Sequence, residues 1–130
     1  MSSYILDTHV MLWIANDSDV LTDNVRDIFL DPKNTFAFSI ASIWEMAIKI
    51  SLKKLTLPCS LDSFVEHHVR DNNIKLLSMK THHCYMLEKL PYYHRDPFDR
   101  IIVAQAIQES HTLISKDSAL RKYEVKTYWQ

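Results

Sequence analysis

The strongest constraint on the fold is an alternation of short apolar runs with longer segments of helical spacing. Four short, largely apolar runs, at residues 4–6, 35–38, 74–77 and 112–115, are read as buried strands rather than as half-exposed alternating ones. Strands of this kind are buried on both faces and belong mostly to parallel sheets. The chain is therefore predicted to be an α/β protein with a central, mostly parallel sheet flanked by helices.

The segments between these runs carry helical patterns and helix-start signals. Ser60 and Asp117 stand at predicted N-cap positions, and Asp96 precedes a proline suited to the first helical position. Residues 98–107 are apolar almost all round, which predicts a buried helix, and the alternation at 125–129 predicts a last edge strand. Two further apolar stripes are predicted to face the core: Ile40, Ile43, Trp44, Ala47 and Ile48, and Leu61, Phe64, Val65 and His68.

Composition excludes several functional classes. Glycine is absent from the 130 residues, so glycine-built phosphate loops and dinucleotide fingerprints are excluded. The net charge of -1 means that local cations or a bound metal would have to hold any nucleic acid. No linker, repeat, membrane span or leader segment is evident, and Cys59 and Cys84 stand far apart. We expect one domain, residues 1–130, in the cytoplasm.

Carboxylates follow the predicted strands at one edge of the sheet. Asp7 and Asp117 come after the first and fourth runs, and ligands of open α/β sheets bind beyond the carboxyl ends of the strands. Glu45 lies on the helix after the second run, and Asp99 lies in the first turn of the 98–107 helix. Such acids suit Mg²⁺ or Mn²⁺, which prefer oxygen ligands.

Structural explanations for three of these acids stay open. Glu45 and Lys49 have the favourable order for an i,i+4 ion pair, Asp99 fits the third position of a capped helix, and Asp117 fits a helix cap. Asp7 is the better candidate for a site, because an aspartate joined directly to a buried strand carries a desolvation cost unless something pairs with it.

The order and spacing of four segments resemble the PIN-domain family, and more narrowly its VapC-type toxin ribonucleases. The segments are residues 5–9 (ILDTH), 39–49 (with Ser42 and Glu45), 94–106 (HRDPFDR and the apolar helix after it) and 113–117 (LISKD). His9 departs from the commonest pattern, which has a small or polar residue there. The role of position 9 stays open.

The resemblance implies a PIN-like three-layer fold and hydrolytic cleavage of RNA that depends on Mg²⁺ or Mn²⁺. It selects Asp7, Glu45, Asp99 and Asp117 as metal-binding and catalytic residues. It also implies a homodimer and a cognate antitoxin, in a type II toxin-antitoxin pair.

Other side chains near these acids are assigned supporting roles. Thr8, Ser42, Ser115 and Asp96 are expected to position waters or carboxylates, and Lys49, Arg95, Arg100 and Lys116 either contact RNA phosphates or neutralise neighbouring acids. The His67-His68 and His82-His83 pairs lack a third metal ligand at recognisable spacing, so surface or core-edge histidines are expected. Trp13 and Trp44 are expected in the core, while Tyr92 and Tyr93 are better placed to contact a substrate or partner.

Two rival functions stay open. A haloacid-dehalogenase-like phosphatase also has an aspartate after its first strand. Members of that family have a second Asp two residues later, where this chain has His9. A PIN-fold binding module without catalytic activity is the other rival.

Overall fold

Five parallel strands form one sheet in the computed structural model, which describes residues 2–130. The strand order is β3-β2-β1-β4-β5, so the first strand is central. Ile5 pairs with Ala37 on one side and with Leu113 on the other, and all pairs are parallel. The strands are β1 (Ser3–Leu6), β2 (Thr35–Ser39), β3 (Lys75–Leu77), β4 (Thr112–Ile114) and β5 (Thr127–Tyr128).

Helices connect these strands and cover both faces of the sheet. They are α1 (Thr8–Ala15), α2 (Asp23–Leu30), α3 (Ile40–Ser51), α4 (Leu61–Phe64), α5 (Thr81–Lys89) and α6 (Pro97–Gln108). Helix α4 continues as a π-helical turn, Val65–Arg70, and a 3₁₀ helix, Ser118–Lys122, follows β4. Within residues 2–130, no helix has the length and hydropathy to cross a bilayer.

The hydrophobic core has two parts, one on each face of the sheet. Successive residues of a strand point to opposite faces, so Ile5 packs with the buried side of α6 while Leu6 packs with α1 and α4. Helix α6 supplies six consecutive buried residues, 101–106. This arrangement confirms the predicted α/β fold with a parallel sheet between helices.

The predicted helix starts are also confirmed. The side chains of Ser60, Asp96 and Asp117 each accept a backbone N–H at the start of a helix. The predicted edge strand near the C-terminus is present as β5, and it is shorter than the alternation suggested. The Asp96 cap fixes the first turn of α6, which carries Asp99.

The apolar stripe predicted for α3 was wrong. Ile40 and Trp44 are 40% and 56% exposed, whereas the buried face of the helix includes Ser42, Glu45 and Met46. Hydrogen bonds satisfy the two polar side chains, and so they can be buried in place of apolar ones. The helix is therefore rotated so that Glu45 faces inward, toward the end of β1.

Candidate metal centre

Asp7 lies where β1 ends and α1 begins, and it is almost fully buried. Its Oδ1 accepts the His9 backbone N–H at 2.8 Å, and its Oδ2 accepts the Ser115 hydroxyl at 2.6 Å. Burial raises the pKa of Asp7, but its interactions with His9 and Ser115 outweigh burial and hold the pKa below its ordinary value. Asp7 is therefore a buried anion in this site.

Ser115 joins the ends of the two neighbouring strands β1 and β4. Besides donating to Asp7, its Oγ accepts the backbone N–H of Asp117 at 3.1 Å. The Asp117 carboxylate in turn caps the 3₁₀ helix by accepting the Ala119 N–H at 2.9 Å. The cap expected for Asp117 is thus formed, and its other oxygen faces the site.

Asp99 lies in the first turn of α6, and the pKa of its carboxyl group is shifted upward. The Asp96 carboxylate accepts the N–H groups of Phe98 at 2.8 Å and Asp99 at 3.3 Å, which fixes the turn. Burial and then the negative charges of Asp7 and Asp96 raise the pKa of Asp99 to about 7. A positive charge at this point would relieve that repulsion.

Glu45 is 3% exposed and lies behind the other acids. The Lys49 ammonium donates to its Oε2 at 2.8 Å, and the Thr8 hydroxyl lies 2.9 Å from its Oε1 and 2.8 Å from the Ser42 hydroxyl. An ionised carboxylate only accepts, so Thr8 donates to Glu45 and Ser42 donates to Thr8. The i,i+4 ion pair is formed, and the Glu45 charge still contributes to the raised pKa of Asp99.

Three of the four predicted acids open onto one depression of about 480 Å³. Its lining is formed by Asp7, His9, Trp13, Asp99, Lys116, Asp117 and Ser118. Glu45 does not line it and has both carboxylate oxygens in hydrogen bonds. The structure therefore brings Asp7, Asp99 and Asp117 together directly, with Glu45 beneath them.

His94 is a site residue that was missed among the predicted site residues. Its Nδ1 accepts the Asp96 backbone N–H at 3.1 Å, so in the neutral ring the proton is on Nε2. That nitrogen lies 3.0 Å from Asp117 Oδ2 and 3.4 Å from Asp99 Oδ2. His94 is thus a hydrogen-bond donor to the acids. In the sequence, His94 opens the HRDPFDR segment and stands two residues before the Asp96 cap.

Among the expected RNA-binding cations, two are already engaged. Lys49 pairs with Glu45, and Arg100 donates to the Leu90 carbonyl at 3.1 Å. Arg95 and Lys116 are exposed and form no ion pair within residues 2–130. Only the last two are free to meet a phosphate in this structure.

The two tryptophans expected in the core are not fully buried. Trp44, expected in the core, is more than half exposed and forms an edge contact with Phe98 at 5.2 Å between ring centroids. Trp13 is half-buried and lines the acidic depression. Tyr92 lies under the Arg100 guanidinium, 4.5 Å from the ring centroid.

The His82-His83 pair has a third neighbour that its spacing did not reveal. Glu109, at the end of α6, places Oε2 at 3.1 Å from His82 Nε2 and 3.0 Å from His83 Nε2. His83 is fully buried, and its Nδ1 accepts the Lys80 N–H at 3.0 Å, so Nε2 carries the proton in the neutral ring. This arrangement is a hydrogen-bonded clamp between α5 and α6.

The parallel sheet and the acids at the carboxyl ends of its strands define an α/β protein with an acidic pocket suited to a divalent cation. A family model for the PIN domain matches residues 4–126. The chain therefore belongs to the PIN-domain family. Among curated proteins, no sequence matches the chain.

Solved structures with the same fold include two VapBC proteins and FitAcB. A chain of VapBC2 from Rickettsia felis is 16% identical with a TM-score of 0.72, and the match covers 98% of this chain and 99% of that one. VapBC from Salmonella typhimurium is 16% identical with a TM-score of 0.67, and the match covers 98% of this chain and 98% of that one. FitAcB from Neisseria gonorrhoeae is 17% identical with a TM-score of 0.63, and the match covers 97% of this chain and 96% of that one. At these identities the likeness shows the shared fold.

Proposed function

We propose that the chain is a VapC-type ribonuclease, active with Mg²⁺ or Mn²⁺, in which Asp7, Asp99 and Asp117 hold the ion. The observation that carries the proposal is the convergence of these three carboxylates on one open depression. The donor set consists of oxygens, which fits a hard cation, and the raised pKa of Asp99 indicates an excess of negative charge that such an ion offsets.

A bound divalent ion polarises the scissile phosphate and lowers the pKa of the attacking water. The chain supplies the geometry for that chemistry. Ser115 holds Asp7 toward Asp117, the Asp96 cap holds Asp99 at the start of α6, and His94 donates its Nε2–H toward Asp99 and Asp117. Each carboxylate is thereby oriented before substrate binds.

Glu45 acts in this proposal from beneath the pocket. Its oxygens are held by Thr8 and Lys49, so it adds negative charge and fixes α1 against α3. Because both of its oxygens are hydrogen-bonded in this structure, we assign Glu45 to the charge of the pocket rather than to the direct ligands of the ion. Lys116 and Arg95, which are free of ion pairs within residues 2–130, are assigned to RNA phosphates.

We also propose the biological setting from the structural relatives. The Rickettsia felis and Salmonella typhimurium structures are VapBC proteins bound to DNA. In the Rickettsia felis structure the DNA is a fragment from their promoter. By analogy, this chain works in the cytoplasm as one domain and a homodimer, and a cognate antitoxin inhibits it.

The decisive experiment is cleavage of total cellular RNA by the purified chain, with and without Mn²⁺ or Mg²⁺. We expect metal-dependent fragments that disappear in Asp7→Asn and persist in Asp27→Asn, an exposed acid on α2. Mapping the fragment ends then identifies the substrate. Metal-dependent stabilisation without any cleavage would favour the silent binding module, and release of phosphate from a monoester without RNA cleavage would favour the phosphatase.

A further inference from the structure

We propose that Trp13 and His9 form a nucleobase-binding subsite beside the acidic cluster, which stacks one base of the RNA next to the scissile phosphate. The inference deepens the proposed function and rests on it, because it identifies how that site holds its substrate. It is carried by the lining of the 480 Å³ depression, where these two rings stand in the same cavity as Asp7, Asp99 and Asp117.

The placement of the two rings follows from the start of α1. Helix α1 begins directly after Asp7, and residues four apart lie on the same helical face, so His9 and Trp13 both face the pocket that Asp7 opens. Their ring centroids are 6.0 Å apart and the planes are inclined by 37°. His9 is 60% exposed and Trp13 is half-buried, so both rings present surface to a ligand.

Trp13 packs against a second aromatic ring, which limits its motion. The Trp129 ring packs against it at 5.6 Å between centroids with an angle of 58°. Trp129 follows the edge strand β5, so the C-terminal segment supports the indole of Trp13. A platform fixed in this way loses little conformational freedom when a base stacks on it.

The dimensions of the pocket fit one nucleotide, and one lysine in its lining can meet a phosphate. Its volume lies within the range of roughly 300–1,000 Å³ that holds small ligands. Lys116 lines the same pocket and has no ion pair within residues 2–130, so it can meet a phosphate while the base meets the aromatic rings. A combination of aromatic ring and free cation is how proteins bind single-stranded nucleic acid.

The test measures binding, separately from cleavage, in Asp99→Asn protein with Mg²⁺ present. Fluorescence anisotropy compares a labelled uridine heptamer with a heptamer of the same ribose-phosphate backbone that lacks bases. Stacking of one base predicts that adding Trp13→Leu weakens binding of the uridine heptamer by about tenfold. The abasic heptamer is expected to bind with equal affinity to both proteins.

Two matched variants separate stacking from structural damage. Trp13→Phe keeps an aromatic face and is expected to retain most of the affinity, whereas Trp44→Leu removes an exposed indole outside the pocket lining and is expected to change neither affinity. Equal losses for both heptamers, or no loss for the uridine heptamer, would overturn the proposal. Failure of the wild-type chain to cleave RNA would overturn the proposed function while leaving base-dependent binding measurable.

Discussion

Replacing Asp99 by Asn is expected to stabilise the metal-free protein at pH 8, although it removes a residue that we assign to metal binding. The Asp99 carboxyl is half-enclosed near Asp7 and Asp96, whose negative charges add to the effect of burial on its pKa. Asn has nearly the same shape and carries no charge, so it keeps the packing of the first turn of α6. The change therefore isolates the electrostatic cost of ionising Asp99.

The magnitude follows from the difference between the folded and unfolded pKa values of Asp99. The folded value is about 7 and the ordinary value is 3.8, a difference of about 3, and each pKa unit corresponds to about 1.36 kcal/mol. A raised carboxyl pKa means that the folded state holds its proton more tightly, so stability falls as pH rises from about 4 to about 7. Above pH 7 the cost is complete, at about 4 kcal/mol as an upper limit.

Urea unfolding followed by tryptophan fluorescence at pH 4 and pH 8, in EDTA, measures this difference. The Asp99→Asn protein is expected to gain little at pH 4 and several kcal/mol at pH 8. Asp27→Asn is the matched control, since this exposed acid on α2 forms no ion pair within residues 2–130. Excess Mn²⁺ is expected to narrow the difference at pH 8, because saturation at 100 times Kd stabilises wild type by about 2.7 kcal/mol and the variant by less.

A gain of equal size at both pH values would refute the electrostatic reasoning, since packing and propensity do not depend on pH in this way. If the Asp99→Asn protein gains no stability at pH 8, the neighbouring negative charges do not destabilise the ionised form of Asp99. Retention of full Mn²⁺ stabilisation by the Asp99→Asn protein would remove Asp99 from the proposed metal ligands.

Two further changes test the surroundings of the site and the clamp on α5. Ser115→Ala leaves Asp7 Oδ2 without its donor, so metal affinity measured by calorimetry is expected to fall about 10- to 100-fold, and unchanged affinity would contradict a positioning role. Glu109→Ala leaves the buried His83 Nε2–H without an acceptor and is expected to lower the free energy of unfolding at pH 7 by about 1–3 kcal/mol in urea titrations, whereas no loss would show that the clamp is dispensable.

The fold was predictable because its main signals are local. The apolar runs around Ile5 and Leu113 became central strands of a parallel sheet, and the Asp96-Pro97 pair marked the start of α6. Each of these signals lies within a few residues of the element it specifies. The positions of the strand ends in turn made it possible to expect Asp7 and Asp117 at one edge.

The details of the site were harder to predict because they depend on contacts between distant residues. The burial of Glu45 requires Thr8, which is 37 residues away, and His94 reaches Asp117 across 23 residues. The hydrophobic stripe therefore gave the wrong face of α3. A sequence pattern records which side chains are apolar, but it does not record which polar side chains will find partners in the folded chain.

Negative charge accumulates at this edge of the sheet in a way that helix capping does not explain. Asp7 is stabilised as an anion by Ser115 and His9, while Asp99 resists ionisation, so neighbouring carboxyl groups have pKa values shifted in opposite directions. If the cluster served only to cap helices, the Asp96 and Asp117 caps alone would suffice, and Asp99 could face solvent without cost. A buried carboxyl that is destabilised by its neighbours is explained when a cation completes the site, and the pH dependence of the Asp99→Asn protein tests that explanation directly.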